Sequence, residues 1–150
     1  MVMNELMRGA VAGAAATVPM TGVILGAKAA GLLYVPPPKQ ITTEAEQQTG
    51  AGANLSQGDF TLSWLAAHFG FGAAAGALFG LSRPLLPGPA WLKGLIFGTA
   101  VWAVSYLKVL PGLGLYPPPS RDRDSRTGTM IVAHLVYGSV LAELDRACDR

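Results

Sequence analysis

The side chains of this chain best suited to chemistry are its two histidines. They recur in one pattern, His68-Phe69-Gly70-Phe71-Gly72 and His134-Leu135-Val136-Tyr137-Gly138, each a His-x-x-aromatic-Gly. Each lies seven residues into an apolar stretch, about 10 Å along a helix rising about 1.5 Å per residue, so the spacing predicts both at one depth. Neutral imidazoles on facing helices can hold haem iron as an axial pair, and haem b is the cofactor such a site would take. The same rings can relay protons, because imidazole titrates near neutral pH. A structural role is the third reading, each ring bonding a neighbouring helix and fixing its register. Tyr34 and Tyr116, at the helix exits on the same side, join the histidines as a candidate ligand or proton site.

The glycines say which way these rings point. His68, Gly72, Gly76 and Gly80 form an i+4 series, and His134, Gly138 and Ala142 form its counterpart. Each histidine therefore shares a ridge with small residues that let helices approach, and faces a bundle interior. An ionisable group inside a membrane is costly enough to be a functional hypothesis in itself.

The elements that position these groups follow from composition. Only 13% of the 150 residues are Asp, Glu, Lys or Arg, and 51% are hydrophobic; soluble domains carry about a quarter charged residues. Four apolar stretches, about 6–33, 62–81, 90–110 and 128–144, hold almost no charge. Each approaches or reaches the roughly 20 helical residues that cross a bilayer core about 30 Å thick. Backbone groups in lipid must be satisfied internally, and nothing here alternates like barrel strands, so the segments are helices. A cleaved leader is an alternative for the first of them, with Ala27-Lys28-Ala29 as the cleavage shape. Its counterpart later in the chain argues for a retained helix.

That counterpart is part of a repeat. Arg8-Gly9-Ala10-Val11-Ala12-Gly13 matches Lys93-Gly94-Leu95-Ile96-Phe97-Gly98 as a basic residue followed by Gly-x-x-x-Gly. The first helix ends Gly31-Leu32-Leu33-Tyr34-Val35-Pro36-Pro37-Pro38 and the third Gly112-Leu113-Gly114-Leu115-Tyr116-Pro117-Pro118-Pro119. The expected fold is thus all-α, an integral membrane four-helix bundle in one domain, residues 1–150, built from two parallel-topology two-helix repeats of about 6–82 and 90–145. Gly9, Gly13, Gly72, Gly76, Gly80, Gly94, Gly98 and Gly138 are its packing residues. Both tyrosine exits lie on one side, where the prolines should stiffen an extended chain. On that side Thr43-Glu44-Ala45-Glu46 predicts one or two turns of surface helix, with loop from Gly50 to Gly58. Pro19 should kink the first helix.

The remaining features exclude more than they assign. No serine has a His and an acid in a recognisable arrangement, and Cys148 is the single cysteine, so neither a catalytic residue nor a metal site is expected. Arg121-Asp122-Arg123-Asp124-Ser125-Arg126 reads as a solvated loop or a headgroup-binding one. A net charge of +2 gives no ground for a nucleic-acid partner. The expected partners are the lipid bilayer and either another membrane protein or further copies of the chain. Lys and Arg divide almost evenly between the two sides; those that flank the helices closely place both termini in the cytoplasm.

The order basic-Gly-x-x-x-Gly helix, Tyr-Pro-Pro-Pro exit, His-bearing helix, and the same again with His134-Leu135-Val136-Tyr137-Gly138 resembles the YagU-like family of small bacterial inner-membrane proteins. The similarity covers most of the chain and is strongest from Lys93 to Gly138. It implies a bacterial cytoplasmic membrane and a multi-helix fold of uncharacterised role, with no catalytic residue to carry over. The expected function is a non-enzymatic accessory or scaffold bundle. A bis-histidine haem-binding or electron-carrying subunit and a small oligomeric transporter or proton pathway are the alternatives.

Overall fold

Asn4 opens the first helix by accepting the Met7 amide on its side-chain oxygen at 2.8 Å, with Glu5 next in the turn where backbone N–H groups favour an acid. The computed structural model describes residues 4–52 and 56–149, and these form five helices: α1 (Glu5–Ala29), α2 (Pro37–Thr49), α3 (Gln57–Ser82), α4 (Ala90–Gly112) and α5 (Asp124–Ala147). α3 runs on through a 3₁₀ turn, Arg83–Leu85. Four of the five, α2 being the exception, are long and apolar enough to cross a membrane, the build of a multi-pass membrane protein.

α1 and α4 stop by the same device. Gly31 and Gly114 take left-handed φ angles of 77° and 69°, and the next amides, Leu32 and Leu115, bond back to Ala27 and Leu110, both at 2.9 Å. This is a Schellman ending, which a glycine at C′ makes inexpensive. Counting from these caps, Leu33 matches Tyr116, and both are buried. Tyr34, one residue later, is 79% exposed.

The prolines do not extend both exits as expected. Pro37 and Pro38 start α2, because a first helical turn needs no amide donor from them. The surface helix consequently begins six residues before Thr43 and ends at Gly50, φ 72°. Part of the expected loop, residues 53–55, lies outside the described residues. Ser56 and Asp59 then exchange side-chain and backbone bonds at 3.2 Å, a capping box that starts α3 five residues ahead of the expected position. The charged run before α5 is likewise partly helical. Arg126 there is tied to Gln40 at 2.7 Å and to the Tyr116 hydroxyl, so it anchors α2 and the α4 exit rather than standing in solvent.

Two glycine seams organise the bundle. A Cβ placed on Gly76 would stand 2.6 Å from the Gly13 Cα, and one on Gly94 would stand 2.7 Å from the Gly138 carbonyl carbon. In each seam the Cα–H groups of one helix face carbonyl oxygens of the other. Gly9, Gly13, Gly72, Gly76 and Gly80 lie between α1 and α3, while Gly94, Gly98 and Gly138 lie between α4 and α5. All eight packing glycines read from the sequence are in these two places.

The halves meet along α1 and α5, where Ala12, Ala16 and Ala133 are at most 3% exposed. Across the bundle the order is α3, α1, α5, α4. α3 and α4 make only marginal contact, chiefly Phe79 edge-on to Phe97 with ring centroids 5.2 Å apart. Midway along the bundle a buried hydrogen bond also joins the halves, the Tyr137 hydroxyl donating to the Gly72 carbonyl at 2.6 Å. Tyr137→Phe should therefore lower stability by about 1 kcal/mol without changing the fold, measured by denaturant titration in detergent micelles.

Candidate functional site

The gap left between α3 and α4 is a cavity of about 270 Å³. His68 and Phe71 of α3, Tyr106 of α4, and Met130, His134 and Tyr137 of α5 line it, and Ile41 of α2 covers it on the loop side. Both histidines thus reach one space, as do Thr17 and Met20 of α1.

They do not sit level. Gly9 faces the Gly76 carbonyl while Gly94 faces that of Gly138, and Gly13 faces Gly72 where Gly98 faces His134. By these contacts His134 takes the place of Gly72, and His68 lies one turn, about 5.4 Å, nearer the start of its helix. The cause is the number of glycines: α3 has three to choose from at its crossing, whereas α5 has only Gly138, which must take the tightest position.

Hydrogen bonds orient the two rings oppositely. Thr21 spends its hydroxyl proton on the Thr17 carbonyl at 2.7 Å, so its oxygen accepts from His68 Nε2, 3.1 Å away. His134 Nδ1 lies 2.7 Å from the Met130 carbonyl, which can only accept. A neutral imidazole carries one N–H. His68 therefore holds its proton on Nε2 and His134 on Nδ1, and among the described residues His134 Nε2 has no partner.

Haem does not suit this arrangement. An axial pair needs two imidazole nitrogens free to face one iron, and His68 has its Nε2 turned onto Thr21. The cavity is also below the roughly 300–1,000 Å³ of drug-sized ligand sites. Of the two candidate tyrosines, Tyr34 stands away from the cavity beneath Arg123, whose guanidinium is 5.4 Å from its ring. Tyr116 stands behind the site's wall, against one of its members: its ring is edge-on to Tyr106 at 5.3 Å, which is edge-on to His134 at 5.7 Å. Burial pushes the Tyr116 hydroxyl up to about 12, opposed by the nearby Arg126.

Tyr106 and Tyr137 did not stand out in the sequence. Tyr137 was visible as the aromatic of the second His-x-x-aromatic-Gly. Tyr106 owes its position to a π-helical turn, Ser105–Val109, and the signal for that turn was Pro111. Its missing N–H cannot bond the carbonyl four residues back, and a wider turn accommodates the loss.

A second cluster, also unread in the sequence, lies at the opposite end. Asp145, fully buried, accepts from Arg8 Nε at 2.8 Å and from Arg83 Nη1 at 2.9 Å. Asp149 pairs with the same two arginines, and the Arg83 hydrogen bond holds its carboxyl below the usual range. Arg8 had been legible only as the basic residue before Gly-x-x-x-Gly.

Searches of curated proteins and of solved structures return no match. A family model, described as a family of unknown function (DUF6789), matches residues 3–148. The match takes in both glycine seams, both histidines and the charged cluster, and the chain belongs to that family.

Proposed function

We propose that this protein is a non-catalytic accessory or scaffold bundle of the bacterial cytoplasmic membrane, with two copies of a two-helix unit and both termini in the cytoplasm. The observation that carries the scaffold reading is the pair of glycine seams. Backbone-to-backbone contact makes α1–α3 and α4–α5 rigid pairs, and it leaves the outer faces, with Leu62, Leu78, Leu81, Val104 and Leu107 exposed, for lipid or a partner. The matching Schellman endings at Gly31 and Gly114 and the paired seams support descent from one unit. The likeness to YagU-like proteins supports a bacterial inner-membrane setting.

Isolation of the tagged protein from native membranes in mild detergent should yield a stoichiometric membrane partner or a homo-oligomer, and Gly72→Leu or Gly76→Leu should abolish that assembly. A monomer that catalyses His68- or His134-dependent solute or proton flux in proteoliposomes would overturn the scaffold in favour of a transport pathway.

A further inference from the structure

We propose that the cavity between α3 and α4 is a binding site for a lipid-soluble molecule of about two rings that carries a hydroxyl group and donates it to His134 Nε2. Four observations lead there.

The first is polarity. His134 is 4% exposed, its Nδ1 proton is committed to the Met130 carbonyl, and its Nε2 lone pair opens on a space walled by Met20, Phe71, Val101 and Met130. An unmet acceptor in apolar surroundings is costly, and the group that relieves it is a donor. A ketone, quinone or ether has none to give; a phenol, quinol or alcohol has.

Size is the second. A cavity of about 150 Å³ accepts benzene, so about 270 Å³ suits a body of roughly two rings.

The third is access. α3 and α4 scarcely touch at this level, and the wall residues Phe71 and Val109 are 55% and 46% exposed on the outside of the bundle. Since both helices are long and apolar enough to span, that opening faces lipid, and the ligand comes from the bilayer. The Phe79–Phe97 contact closes the gap towards the chain termini, and α2, through Pro38, Ile41 and Thr42, closes it towards the loops.

The fourth is local geometry. The π turn that places Ser105, Tyr106 and Val109 at the wall is a departure from the α-helix of a kind often found at functional sites. Tyr106, edge-on to His134, closes the side of the ring's environment nearest Tyr116.

The test uses the full chain in lipid nanodiscs with ¹⁵N-labelled histidine, titrated with 1-naphthol and with 1-methoxynaphthalene, against empty nanodiscs. The two probes share a ring system, and only the first can donate. 1-Naphthol should bind saturably, shift the His134 Nε2 resonance and leave His68 in place, while the ether binds about tenfold more weakly, the loss of one hydrogen bond. Val101→Trp, which fills the cavity from α4, should abolish the naphthol-induced shift. Equal binding of the two probes, or saturable naphthol binding that leaves His134 unmoved, overturns the proposal. So does uptake no greater than that of empty nanodiscs.

Discussion

Gly76→Ala should cost about 3 kcal/mol, the upper end of what overpacking usually costs, whereas Gly22→Ala in the neighbouring helix should cost nothing. The added methyl at position 76 would lie 2.6 Å from the Gly13 Cα and 2.9 Å from the Gly13 nitrogen, closer still to the Gly9 carbonyl oxygen. All of these are backbone atoms, so no side chain can rotate out of the way. The helices must separate, and separation forfeits the close contacts along the whole seam, because van der Waals attraction falls steeply with a gap below an ångström. Position 22 has nothing within 4 Å, and alanine there gains about 0.5–1 kcal/mol of helix propensity over glycine. Unfolding in mixed micelles, followed by loss of helicity, measures both. Wild-type stability in Gly76→Ala would mean that the helices do not cross at backbone contact.

The contrast explains why so much of the packing was legible. A glycine spaced four residues from another in an apolar run has few reasons to be there except close approach, and the i+4 series of Gly72, Gly76 and Gly80 named the face before any coordinate did. The four spanning helices were legible for a similar reason, since length and lack of charge are properties of a segment alone. Helix ends were harder. Pro37 could stiffen an extended exit or open a helix, and which it does depends on whether a following amphipathic segment finds something to cover; α2 finds the cavity's open end. The relative depth of His68 and His134 was not legible at all. It depends on where α3 and α5 cross their partners, and that was decided by Gly138 being the one glycine that α5 has at its crossing, since Gly128 has nothing within 4 Å. Nor could the alignment of tyrosines show that Tyr34 and Tyr116 differ, because the left-handed caps at Gly31 and Gly114, not the prolines, set the true correspondence.

Asp145 shows another limit: nothing local marks it, since its partners are 137 and 62 residues away. Asp145→Asn should destabilise the protein by about 3–5 kcal/mol, the cost of breaking a buried ion pair and leaving the other charge uncompensated. Arg8 is 5% exposed, and its Nη2 already lacks a partner, so the guanidinium has no water to fall back on. Asp149 cannot replace the lost carboxylate, because its own reach is to Arg8 Nη1 and Arg83 Nη2, on the exposed side. Arg83 will suffer less, being able to turn towards solvent. The informative comparison is Arg8→Leu with Asp145→Leu. A buried pair exchanged for apolar side chains is often neutral, since the desolvation of both ions is removed along with their attraction. The double variant should accordingly lose clearly less than the sum of the two single losses, and a double-mutant cycle in micelles should return a coupling of about 2–3 kcal/mol, at the upper end for residues in one network. Additive losses would show that Arg8 and Asp145 hold α1 and α5 through separate contacts, and that the charged end of the bundle is not a single clasp.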